Sequence, residues 1–86
     1  MREIVIDCIG IHSPREFHRI LAEKLSFDAG YGGNLDALYD CLLELPEPTR
    51  LRFVGFEKMP GTFQLGFRKV LENAVEDTTN FCVSFL

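Results

Sequence analysis

Residues Glu3–Ile9, EIVIDCI, form an apolar, β-branched run, which predicts a strand buried on both faces. The stretch S-P-R-E then marks a helix start, with Ser13 as N-cap, Pro14 at the first helical position and Glu16 closing a capping box. Phe17, Ile20, Leu21 and Leu25 follow at helical spacing, so a first helix is expected to end near Leu25. F-D-A-G-Y-G-G breaks the pattern, and Asn34 is a natural N-cap for a second helix. That helix has Leu35, Leu38, Leu42 and Leu45 on its apolar face, with Cys41 at the edge. It must end by Leu45, because Pro46 and Pro48 cannot continue it. T-R-L-R-F-V alternates and predicts a second strand with Leu51 and Phe53 inward. G-F-E-K-M-P-G is a connector with room for one helical turn. Phe63, Phe67, Val70, Leu71 and Ala74 give the apolar face of a third helix, and N-F-C-V-S-F-L reads as a closing strand.

Strands separated by helical segments imply parallel pairing through right-handed crossovers. The expected fold class is α/β: a small three-stranded parallel sheet packed with helices, in the order β-α-α-β-α-β. The first strand is expected in the middle, because its run is apolar without alternation. A length of 86 residues suits a single domain, residues 1–86. Hydrophobic residues make up 47% of the chain, which excludes intrinsic disorder. No apolar run approaches the roughly 18 residues of a membrane span. The start, MREIVIDCIG, puts Glu3 and Asp7 where a signal peptide needs an uncharged stretch, so a cytoplasmic protein is expected. Cys8, Cys41 and Cys82 lie far apart among apolar residues, and three reduced, buried structural thiols are expected.

Charge changes the picture most. The net charge is −4, yet residues 25–49 contain no Lys or Arg and hold Asp28, Asp36, Asp40, Glu44 and Glu47. The remainder, with nine basic and eight acidic residues, sums to +1. Such a segment repels nucleic acid and favours a basic partner. On the second helix, Asp36–Asp40 and Asp40–Glu44 are like-charged i,i+4 pairs, each destabilising by about 0.2–0.5 kcal/mol. Asp36 gains from the helix N-terminus, but Asp40 lies too far in. The wheel places Tyr39 and Leu43 off the core face beside these acids. Composition and spacing alone leave a solvated face and a binding patch equally open. On the third helix Glu72 and Glu76 repeat the spacing, but Arg68 and Lys69 precede them as counter-charges.

Other chemistries fare worse. His12 in a turn and His18 on a polar helix face have no metal spacing and are read as plain surface residues. No nucleophile elbow or triad can be assembled, so neither an enzyme nor a metal or cofactor is expected. The loop G-Y-G-G before a helix start looks like a phosphate cradle, but it lacks a lysine and Asp36 would repel phosphate. Its glycines are read as supplying a tight turn with positive φ. Asp7 has no second acid beside it in the sequence to make a phospho-acceptor site.

The stretch YGGNLDALYDCL resembles the barstar family of bacterial ribonuclease inhibitors, whose pattern runs Tyr-Gly-x-Asn-Leu-Asp-Ala-Leu-aromatic-Asp-Cys-Leu. Tyr31, Gly32, Asn34, Leu35, Asp36, Ala37, Leu38, Asp40, Cys41 and Leu42 all fit it. The resemblance implies an inhibitor whose second helix and preceding loop cover the cleft of a basic, barnase-type ribonuclease in a 1:1 complex, protecting the producing cell. Asp40 would stand in for a substrate phosphate, Asp36 would support it, and Tyr39 would pack nearby. Tyr31 and Asn34 match contact positions of the loop, and Glu72 and Glu76 match later acidic contacts by spacing. Leu43 completes the expected partner surface. Gly30 stands where the family often has a second aromatic, Tyr39 replaces a commoner tryptophan, and Leu43-Glu44-Leu45 replaces a small-residue turn. A different basic toxin is the alternative target.

Overall fold

Two side-chain caps start the helices where the sequence places them. Ser13 Oγ accepts from the Glu16 amide at 3.1 Å, while the Glu16 carboxylate reaches back to the His12 amide, also at 3.1 Å. Asn34 Oδ1 accepts from the Ala37 amide at 2.8 Å. The computed structural model describes residues 1–86, which form β1 (Arg2–Asp7), α1 (Pro14–Leu25), α2 (Leu35–Leu43), β2 (Thr49–Val54), α3 (Gly61–Asp77) and β3 (Phe81–Phe85). A single 3₁₀ turn, Phe56–Lys58, lies in the expected connector. The order is β-α-α-β-α-β, and all three strands are parallel, as expected.

The strand order is β1-β2-β3, so β2 is central and β1 is an edge. This corrects the expectation that the first strand lies in the middle and is buried on both faces. The sheet is covered on one side only. Ile4, Leu51 and Val83 share one row of the inner face, and Ile6, Phe53 and Phe85 the next. Val5, Arg52 and Ser84 share a row of the outer face, where Val5 is 55% exposed. An Arg52–Glu3 ion pair at 3.5 Å crosses that face. In a sheet with one open face the central strand alternates as much as an edge does. The alternation of T-R-L-R-F-V therefore marks the open face, and the Val5 side chain satisfies strand propensity without being buried.

The core lies between the inner face and the helices. Phe17 of α1 is fully buried, with its ring 5.8 Å from Phe53, 6.3 Å from Phe56 and 4.6 Å from Phe67. Leu38 and Leu42 insert the second helix into the same core. At Gly66 of α3 a Cβ would come within 3.1 Å of Leu35 Cδ1, so glycine lets α2 approach closely. Of the three free cysteines only Cys8 is buried; Cys41 and Cys82 are partly exposed, contrary to expectation. Burial, followed by the charges of Asp7 and Glu57, pushes the Cys8 thiol up to about 12, so it stays protonated.

Phe17→Ala is expected to cost about 3–5 kcal/mol in urea unfolding, because it empties the contact shared by α1, β2 and α3. Val5→Thr, on the open face, is expected to stay within about 0.5 kcal/mol of the parent. A loss above 1 kcal/mol at Val5 would show that this face is covered.

Candidate functional site

The second helix presents its acids unpaired. The protein holds four ion pairs, Arg2–Glu47, Arg19–Glu23, Arg52–Glu3 and Arg68–Glu72. Of the five acids in the cation-free segment only Glu47 is therefore neutralised. Asp28, Asp36, Asp40 and Glu44 are exposed and unpaired. Asp36 lies in the first turn of α2 and Glu44 is its C-cap residue, with no basic residue in the last turn. A carboxylate at that end is opposed by the helix dipole. The Cys41 thiol registers the field: burial raises its pKa first, then Glu44, Asp40 and Asp28 in that order. Three carboxylates from the loop and the helix thus act on one point.

Tyr39 and Leu43 are both half-buried beside these acids. The Tyr39 ring packs against the core, and its hydroxyl donates to Asp77 Oδ2 at the end of α3. That bond is the largest cause of a raised Tyr39 pKa, followed by burial, the Asp77 charge and the Asp40 charge. Tyr39 therefore joins the acidic face of α2 to the acidic end of α3. Glu76, beside Asp77, is exposed and unpaired, whereas Glu72 is held by Arg68 at 3.6 Å. The counter-charge expected on α3 thus reaches Glu72 and leaves Glu76 free. Arg68 also lies 4.0 Å over the Phe85 ring, which fixes it against β3. Asp77 was missed by the sequence reading. Its signal is a pair of acids, Glu76 and Asp77, in the last turn of a helix with no cation there, where the dipole disfavours them.

The loop before α2 is braced from α1. Tyr31 is half-buried, 5.0 Å from the Phe27 ring, with its hydroxyl 2.6 Å from His18 Nδ1. Burial, followed by the Cys41 charge, pushes the Tyr31 hydroxyl up to about 12, so it keeps its proton. The phenol is the stronger acid and the imidazole the stronger base, which makes Tyr31 the donor. His18 is only 6% exposed, and its ring lies 4.9 Å from that of Phe67, tilted by 52°. This corrects the reading of His18 as a surface residue. Its helix face is polar in sequence, but Tyr31 and Phe67 fold over it from elsewhere. Burial lowers its pKa below the ordinary 6.5. Among the loop glycines Gly33 has a positive φ, +67°, whereas Gly30 and Gly32 do not. Asn34, the other loop position, commits its side-chain oxygen to the α2 cap and leaves its amide nitrogen available.

The structure therefore gathers Asp36, Tyr39, Asp40 and Leu43 on α2, ties them through Tyr39 to the end of α3 that bears Glu76, and holds Tyr31 and Asn34 at the start of α2. The family model described as Barstar (barnase inhibitor) matches residues 1–85. A Bacillus subtilis (strain 168) protein named "Putative ribonuclease inhibitor YrdF" is 35% identical over 81 residues, spanning 90% of this chain and 89% of that protein.

The buried, neutral His18 gives a pH test. An unfolded chain binds a proton near pH 6.5 that the folded ring resists, so stability is complete above that pH and falls as the pH drops below it. The unfolding free energy of the parent, from urea titrations, is expected to fall more steeply between about pH 6.5 and 5 than that of His18→Gln, by at most ~1.4 kcal/mol per pH unit. Parallel profiles would remove His18 as the cause.

Proposed function

This chain belongs to the barstar family of ribonuclease inhibitors, and from that premise we propose that it blocks the active site of a basic, barnase-type ribonuclease with the acidic face of α2 and the loop before it. It acts as a single domain of residues 1–86, as a monomer in a 1:1 complex, in the cytoplasm of the cell that makes the nuclease. It performs no reaction of its own. The observation that carries this reading is the unneutralised pair Asp36 and Asp40, flanked by half-buried Tyr39 and Leu43.

The mechanism follows from charge and shape. Repulsion along Asp36, Asp40 and Glu44 costs the free helix a few tenths of a kcal/mol per pair, and arriving arginines and lysines relieve it. Asp40 takes the position of a substrate phosphate among the cations of the nuclease cleft, and Asp36 supports it from the preceding turn. The Tyr39 ring and Leu43 pack against the cleft wall and exclude water, which strengthens the charge contacts. Tyr31 and Asn34 extend the contact along the loop, and Glu76, with Glu72 behind it, widens the attracting field. The summed negative potential speeds encounter and selects a cationic partner.

Titration into a barnase-type ribonuclease, following RNA cleavage, is expected to give stoichiometric inhibition that weakens as salt rises. Asp40→Ala is expected to weaken binding by at least about 2 kcal/mol, roughly 30-fold, and Glu76→Ala by less than tenfold. Inhibition that Asp40→Ala leaves intact would overturn the mechanism. If the ribonuclease is not inhibited at all, the target is a different small basic protein.

A further inference from the structure

The largest hollow in the surface, about 550 Å³, is basic although the protein as a whole is acidic. It lies between the first turns of α1 and the glycine loop, where Arg15, His18 and Arg19 face Tyr31, Gly32 and Gly33. The sequence argued against a phosphate cradle in G-Y-G-G because the loop has no cation and Asp36 follows it. Folding changes both facts. Two guanidiniums and an imidazole arrive from α1, and Asp36 is absent from the lining.

Each of these groups has hydrogen-bonding capacity to spare. Arg15 is exposed and makes no ion pair, and Arg19 shares its charge with Glu23 alone, at 3.1 Å. The Gly32 and Gly33 amides donate to no backbone carbonyl. His18 is the telling residue. More than nine-tenths buried, it holds Nδ1 2.6 Å from the Tyr31 hydroxyl; with Tyr31 donating, the ring proton sits on Nε2. Nε2 has no hydrogen-bond partner in the protein and is not a sealed, unsatisfied atom, and His18 is one of the residues lining the hollow.

We propose that this hollow binds a phosphate group, either free phosphate or the monophosphate of a nucleotide. The lining brings donors from two elements: two guanidiniums and the imidazole from α1, and the Gly32 and Gly33 amides from the loop. A tetrahedral dianion accepts from several donors at once, whereas a planar carboxylate is satisfied by two parallel ones. The free Arg15 and the partly committed Arg19 supply the positive charge, and guanidinium is the side chain best shaped to chelate phosphate oxygens. Occupancy would add a second tie between α1 and the loop, beside the Tyr31–His18 bond.

The test is a ¹H–¹⁵N correlation titration of the isolated chain at about pH 8, where phosphate is a dianion. Inorganic phosphate, adenosine 5′-monophosphate and adenosine are added at matched ionic strength, with chloride as the baseline. Saturable shifts confined to the amides of residues 15–19 and 31–34 are expected. Arg15→Gln, a change at an exposed position, is expected to weaken binding about tenfold, and Lys24→Gln, outside the hollow, to leave it unchanged. Tighter binding of the monophosphate than of phosphate, with adenosine silent, identifies a nucleotide; equal binding identifies the free anion. Shifts that never saturate, that chloride reproduces, or that Arg15→Gln leaves unaltered overturn the proposal. No nuclease enters the experiment, so its outcome is independent of the inhibitor reading.

Discussion

The buried Phe17 ring ties the first helix to the rest of the molecule. Its contacts with Phe53, Phe56 and Phe67 set α1 against the central strand and α3 at once. The next residue, His18, is thereby held beneath Tyr31, and the loop before α2 inherits its position from that contact. The second helix is then fixed at two further points, by Leu35 against Gly66 and by Tyr39 on Asp77. A short helix of nine residues is marginal alone. Here its packing on α3 and the brace from α1 on the preceding loop hold it in place, and under the proposed function a pre-positioned acidic face loses less entropy on binding.

The distribution of ion pairs separates structure from function. All four pairs lie away from the acids of α2, at exposed or half-exposed positions where each is worth about 0–1 kcal/mol. Cations are thus available to the fold, and none is spent on Asp28, Asp36, Asp40 or Glu44. Both Cys41 and Tyr39 carry the imprint of that uncompensated charge. Stability accounts for the apolar side of α2 through Leu38 and Leu42 but not for the charge on the other side, and that remainder is what the proposed cationic partner explains.

Legibility in the sequence followed the range of the interactions. The caps at Ser13 and Asn34, the proline stops after α2 and the helical apolar spacing are local, and the structure contains all of them. The acidic strip on α2 was equally plain, because it rests on i,i+4 spacing. Strand order was not, since E-I-V-I-D-C-I cannot reveal that Val5 faces solvent on an open sheet. His18 and Asp77 were also hidden, for the same reason: their partners, Tyr31 and Tyr39, lie 13 and 38 residues away. What the sequence does contain is the misplaced acid pair at the end of α3, whose unfavourable position points outward from local stability to Tyr39.

The most direct test of the central claim is a cross-saturation NMR measurement on the labelled chain bound to an unlabelled barnase-type ribonuclease. The account predicts transfer to Tyr31, Asn34, Asp36, Tyr39, Asp40 and Leu43, with weaker transfer to Glu76. Transfer centred instead on the open sheet face, at Val5, Arg52 and Ser84, would contradict it.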